Sequence, residues 1–232
     1  MSKNTAVCDL KSCYLCRFCL KHWLPVIEVK KRNIEIKKGQ PLFTEGDPVK
    51  GIFFVYSGKV KVHKQWGKEK ELIMRFAQKG DIVGQLGLGS HSFYPVSATA
   101  IEPTVVCYLD MEIFESTLKV NNELTYTLMQ FFADQLQESE KRMRNLAHMA
   151  VKGRVAQALI MLKNQFGISK DGYIDIELTR QDLASYTGAV YESLFRTMNE
   201  LMREKLIAVA GKSITLLNED ALLQLTETDM PH

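Results

Sequence analysis

LTRQDLASYTGAVYESLFR, residues Leu178 to Arg196, has the form of two short helices around a tight turn. Thr179 can cap the first helix, with Asp182 at the third helical position reaching back to it. Leu183 and Ala184 face inward, and Gly188 relieves the turn. The second helix then presents Tyr191, Glu192, Phe195 and Arg196 near its exposed N-terminal half. Arg196 can make paired bonds to guanine, Glu192 can accept from cytosine N4, and Tyr191 can meet a phosphate or a thymine methyl. A helix N-terminus also favours a nearby phosphate. An ordinary helical hairpin, with Glu192 and Arg196 as a surface i,i+4 pair, satisfies the same spacing. Just beyond, the strand-like runs Leu206 to Ala210 and Ser213 to Leu217 flank Gly211-Lys212, and Lys205 and Lys212 would fit a wing touching backbone phosphates. The expected contacts with double-stranded DNA are therefore Thr179, Arg180, Tyr191, Glu192, Phe195, Arg196 and Lys212.

Upstream, a third helical segment covers 153–166 after a break at Val151-Lys152-Gly153. Before it, Asn121 to Met149 contains neither Pro nor Gly and carries Leu124, Leu128, Phe131, Phe132, Leu136, Met143, Leu146 and Met149 at helical spacing, about eight turns of one helix. Pairing with a twofold mate as a coiled coil would bury that stripe and make a homodimer; packing on its own sheet is the alternative. Earlier still come short strand-like runs at Ile34 to Ile36, Gly51 to Tyr56, Lys59 to His63, Glu71 to Phe76 and Val105 to Leu109, separated by Gly-containing turns. Strands followed by helices give an α+β chain with an antiparallel sandwich or roll at its N-terminal side. The expected divisions are a cysteine-rich segment 1–24, a β-roll sensor 25–118, a dimerisation helix 119–150, a winged helix-turn-helix 151–220 and a solvated acidic tail 221–232.

The chain has 232 residues, 46% hydrophobic and 25% charged, which excludes disorder, collagen-like repeats and a small disulfide scaffold. Its formal charge of +3 permits nucleic acid without arguing for it. No run approaches the roughly 20 apolar residues that span a bilayer, so no membrane partner is expected. The opening stretch Met1 to Leu10 is polar and contains Asp9, so no leader is expected and the cytoplasm is the expected compartment. Of five cysteines, Cys8, Cys13, Cys16 and Cys19 cluster and Cys107 stands alone, a pattern for thiolate chemistry or metal ligation rather than paired disulfides.

Three stretches resemble the bacterial regulators typified by the cyclic AMP receptor protein and the fumarate and nitrate reduction regulator, and most closely the latter branch. They are Lys38 to Asp47 (KGQPLFTEGD), Gly80 to Gly87 (GDIVGQLG) and Leu178 to Arg196, and the likeness runs from about Asn33 to Leu225. The resemblance implies an N-terminal double-stranded β-helix of the jelly-roll, cyclic-nucleotide-binding-like kind, a long dimerisation helix and a C-terminal winged helix-turn-helix. It implies a homodimeric transcription factor on palindromic promoter sites, with RNA polymerase as a further partner and Glu192 and Arg196 as base readers. Phe195 stands where the family commonly has a small or polar residue.

Nucleotide-binding members carry a Glu for the ribose and Arg-Ser or Arg-Thr for the phosphate, where this chain has Gln85, Val96 and Ser97. Val96 offers a cyclic phosphate no charge-assisted bond, which argues against cyclic AMP bound in the family's usual manner. Cys13, Cys16 and Cys19 have the Cys-x2-Cys-x2-Cys spacing of a loop wrapping three corners of an iron-sulfur cube, leaving one iron to a distant thiolate. By likeness to the oxygen-sensing regulators that thiolate is Cys107, with Cys8 as an alternative ligand, so a [4Fe-4S] cluster on Cys13, Cys16, Cys19 and Cys107 is the expected cofactor. Tetrahedral zinc on the four N-terminal cysteines is the alternative. No phosphate-cradling Gly-rich loop, Gly-x-Ser-x-Gly elbow or His-Glu-x-x-His is present, so an enzyme is not expected.

Overall fold

The computed structural model describes residues 13–67 and 70–227. Two helices, α1 (Tyr14–Phe18) and α2 (Leu24–Lys30), precede eight strands: β1 (Arg32–Ile36), β2 (Pro41–Phe43), β3 (Gly51–Ser57), β4 (Val60–Trp66), β5 (Lys70–Ala77), β6 (Ile82–Val83), β7 (Ser97–Ala100) and β8 (Thr104–Asp110). They form two four-stranded antiparallel sheets in the orders β1-β8-β3-β6 and β2-β7-β4-β5, a jelly-roll arrangement.

The apolar runs of β3 and β8 have no polar alternation because both faces of their sheet are covered. Phe53 and Val55 on β3, with Val106 and Tyr108 on β8, face the roll interior beside Phe43, Val62, Tyr94 and Ala98. The intervening Ile52, Phe54, Cys107 and Leu109 point the other way. There they meet α1, α2, Phe114 of α3 (Met111–Val120) and Leu124 and Leu128 of α4 (Asn122–His148). Period-two side-chain alternation thus distributes one strand between two cores.

Asn121 separates α3 from α4, so the long helix starts one residue later than its sequence pattern implies. The Asn121 side chain is fully buried: its amide nitrogen donates to the Thr117 carbonyl at 2.7 Å, and its oxygen accepts from the Leu20 amide at 2.7 Å. Trp23 Nε1 adds a 3.1 Å bond to Thr117 Oγ1, fixing the N-terminal segment on this corner.

The chain divides into two compact units between Gln135 and Leu136, within α4. In the second unit α5 (Val151–Phe166) packs against α6 (Arg180–Thr187), α7 (Tyr191–Arg203) and α8 (Glu219–Glu227), and β9 (Ile207–Ala210) pairs with β10 (Ser213–Leu216). The expected acidic tail is, through Glu227, helix α8. Its Leu222 is fully buried, and Lys163 of α5 pairs with Glu219. No helix among the described residues is long and apolar enough to cross a membrane.

Candidate nucleic-acid interface

Thr179 is the N-cap of α6, where its hydroxyl accepts the Asp182 amide at 3.0 Å while the Asp182 carboxylate accepts the Thr179 amide at 3.3 Å. This reciprocal box fixes where α6 begins, and the glycine at its other end fixes where it stops. Gly188 has φ 62° and ψ 31°, a left-handed conformation that costs glycine nothing, and it lies against α4. A Cβ at this position would come within 2.4 Å of Leu146 Cδ2.

From that turn α7 departs with Leu194, Thr197, Met198 and Leu201 buried. The opposite face is exposed. Tyr191, Glu192, Phe195, Arg196, Asn199 and Arg203 line one open groove of ≈ 460 Å³ along it. The four residues expected on this helix therefore share one surface, joined by Asn199 and Arg203, which the sequence reading did not include. Their signal was available, because 192, 196, 199 and 203 follow spacings of four, three and four, one stripe of an α-helix.

Lys212 is exposed at the turn between β9 and β10, where Gly211 has φ 60°. Arg180 lies at the first turn of α6 with its guanidinium directed to the wing, donating from Nη2 to the Gly211 carbonyl at 2.9 Å. Helix start and wing turn are thus tied by one side chain.

In the roll, Gln85 is buried at the start of a 3-10 turn, and Arg75 Nη2 lies 3.5 Å from its Oε1 and 2.5 Å from the Ile82 carbonyl oxygen. Burial lowers the affinity of the Arg75 guanidinium for its proton, an effect opposed by nearby Asp81. Val96 belongs to the apolar core of the roll, and Ser97 Oγ accepts the Glu45 amide at 2.9 Å.

The metal-site expectations need correction. Among the described residues no group of three or more His, Cys, Asp or Glu side chains could hold a metal ion, which overturns both the [4Fe-4S] cluster and the zinc alternative. Cys8 lies outside the described residues. The physical reason is helical. Cys13 is the N-cap of α1, Cys16 lies within it and Cys19 is its C-cap, so the three-residue spacing marks the buried side of a short helix. With Cys107 of β8 these thiols belong to an apolar core containing Leu15, Ile27, Phe54 and Phe114. Cys19 Sγ approaches Asn121 Oδ1 at 3.4 Å, and burial pushes its pKa up. All four are buried in that apolar core.

Residues 33–121 match the cyclic nucleotide-binding domain family, and residues 153–225 match the Crp-like helix-turn-helix domain family. The chain is 33% identical over 189 residues to the anaerobic regulatory protein of Bacillus subtilis, covering 79% of each chain. It is 27% identical over 224 residues to the fumarate and nitrate reduction regulatory protein of Escherichia coli strain K12, covering 93% of this chain and 89% of the relative. The solved structure of FixK2 from Bradyrhizobium japonicum has the same fold, with a TM-score of 0.76 and 22% identity over 87% of this chain and 98% of that one.

Proposed function

The chain belongs to the cyclic AMP receptor protein/fumarate and nitrate reduction regulator family of DNA-binding transcription factors, on the latter's branch, and from that premise we propose that two copies bind a palindromic duplex through paired α7 helices. The observation that carries this reading is the exposed face of α7, where Glu192 and Arg196 stand side by side over a buried Leu194-Met198 ridge. Arg196 reads guanine through its O6 and N7, Glu192 accepts from cytosine N4, and Tyr191 and Phe195 meet thymine methyls or sugar edges. Thr179 and Lys212 contact phosphates on either side, at the start of α6 and on the wing. Arg180 braces the wing from within and adds its charge there.

The dimer is read from α4. Tyr126, Met129, Leu136 and Met143 are exposed large apolar side chains on that one helix, with Ala133 between them on the same face. Their spacing, three then four throughout from 126 to 136 and seven to 143, is that of a two-stranded coiled-coil seam. Twofold pairing there matches the twofold symmetry of a palindrome.

Control is read as independent of a metal cluster, through a small molecule in the roll or through none, since the cysteines are core residues. Exposed Trp66, at the end of β4, is the surface we assign to RNA polymerase. The name of the Bacillus subtilis relative makes genes of anaerobic growth the first targets to examine.

Selection from a randomised duplex library tests the reading. The protein should enrich a palindrome whose half-site centres lie about one helical turn apart, roughly 34 Å. Enrichment of no common sequence would sink it.

A further inference from the structure

The Ala184 carbonyl in the last turn of α6 is met by the Gly188 amide and the Thr187 hydroxyl, whereas the carbonyls of Tyr186, Thr187 and Gly188 lie past the reach of the helix's own amides, at the turn from which α7 departs. Two guanidinium groups meet them. Arg142 of α4 donates from Nη2 to the Tyr186 carbonyl at 2.5 Å and lies 5.0 Å from the centre of the Tyr186 ring. Arg154 of α5 donates from Nη1 to the carbonyls of both Thr187 and Gly188, each at 3.1 Å. Cations are favoured at this negative end of the helix dipole. Their origins are also fixed to each other: Asn145 Nδ2 of α4 donates to Gln157 Oε1 of α5 at 2.9 Å. Leu146 fills the space that a side chain at Gly188 would need.

Neither arginine lines the α7 groove, so neither is placed to touch a base through it. We propose that Arg142 and Arg154 are positioning residues for DNA recognition, holding the carbonyl end of α6 against the α4–α5 corner and thereby fixing the direction in which α7 leaves the turn. The proposal rests on α7 being the base-reading helix. Arg142 is one residue from Met143 of the proposed dimer seam, so the helix that pairs two copies is also the one that grips the turn. Loss of the Arg142 guanidinium would remove its bond to the Tyr186 carbonyl and let the turn sample other angles.

The test compares wild type with Arg142→Gln and Arg142→Lys. The probes are the palindromic duplex that the wild type itself selects and a scrambled duplex of equal length, alongside dimer dissociation and amide exchange across 186–190. Arg142→Gln should weaken palindrome binding about tenfold and scrambled binding less than about twofold, with dimerisation unchanged and faster exchange in the turn. Arg142→Lys, which keeps the positive charge and a donor of comparable reach, should recover most of both losses. Unchanged palindrome affinity, equal losses on both duplexes, or unchanged exchange in Arg142→Gln would overturn the proposal. Should that variant fail to fold, Arg154→Gln replaces it, with faster exchange at the turn expected and wild-type exchange overturning. If the wild type selects no palindrome, the base-reading assignment fails, while the exchange comparison still decides whether the clasp orders the turn.

Discussion

Arginines in the second unit differ by what they touch. Arg142, Arg154 and Arg180 donate to backbone carbonyls of the turn or the wing, whereas Arg196 stands exposed on the α7 groove. Arg196→Ala should therefore cost about 1–3 kcal/mol at one base pair and relax the preference there, measured by titrating single-base variants of the selected site. Equal losses on every variant would make Arg196 a phosphate contact. Thr179 and Asp182 were legible in the sequence because a capping box is local. The clasp by Arg142 was not, since its partner lies 44 residues away and nothing in the neighbourhood of either residue announces the other.

Burial also sets a pH dependence. Tyr14 and Tyr108 are pushed up from the ordinary 10.0 to about 12, by burial in both and by Asp110 as well for Tyr108. Cys19 moves in the same direction. Between the ordinary and raised values the unfolded chain has lost these protons while the folded chain keeps them, so stability falls as pH rises through that window. Thermal unfolding of the protein should show a melting temperature declining steadily from about pH 9 upward and more shallowly in Tyr14→Phe. A melting temperature independent of pH over that range would contradict the burial argument.

Among the elements, α4 was the most legible and β6 the least. Absence of Pro and Gly over the long helix, with apolar residues at helical spacing, marks it from sequence alone. Within the stripe the structure separates two roles that the periodicity merged. Leu124 and Leu128 are buried against the roll, whereas Leu136 and Met143 are 61% and 65% exposed. Leu136→Glu should accordingly leave each folded chain intact and shift the population toward monomer, as read by sedimentation, because like charges would face each other across a twofold seam. A dimer of wild-type strength in that variant would move the interface elsewhere.

Strands β2, β6 and β7 escaped the sequence reading for a physical reason. They have three, two and four residues, and β7 is the small-residue run Ser-Ala-Thr-Ala, so none is long or bulky enough to set up a pattern. Helix α8 was obscured by Glu219 and Asp220, which sit in its first turn where acids favour a helix rather than a tail. In α1 the opposite happened. Cysteines at 13, 16 and 19 carried a chemical pattern strong enough to mask that three-residue steps also describe the buried side of a helix.

Across the chain, a roll and a helix-turn-helix unit share one continuous helix that runs through the division at Gln135 and Leu136. That helix carries both the proposed dimer seam and, through Arg142 and Leu146, contacts to the turn between α6 and α7. Order of elements and family were legible because each long element is locally consistent with its place in the fold. The status of the cysteines was not, since it depends on how β8, α1 and α3 meet in one core. On the proposed function two copies read two half-sites as a rigid twofold pair, and affinity for the selected palindrome should be compared with affinity for the same duplex carrying five base pairs inserted between its half-sites. About half a helical turn of rotation should drop binding by about a thousandfold, to the level of scrambled DNA. Undiminished affinity for the inserted duplex would contradict the paired-helix account.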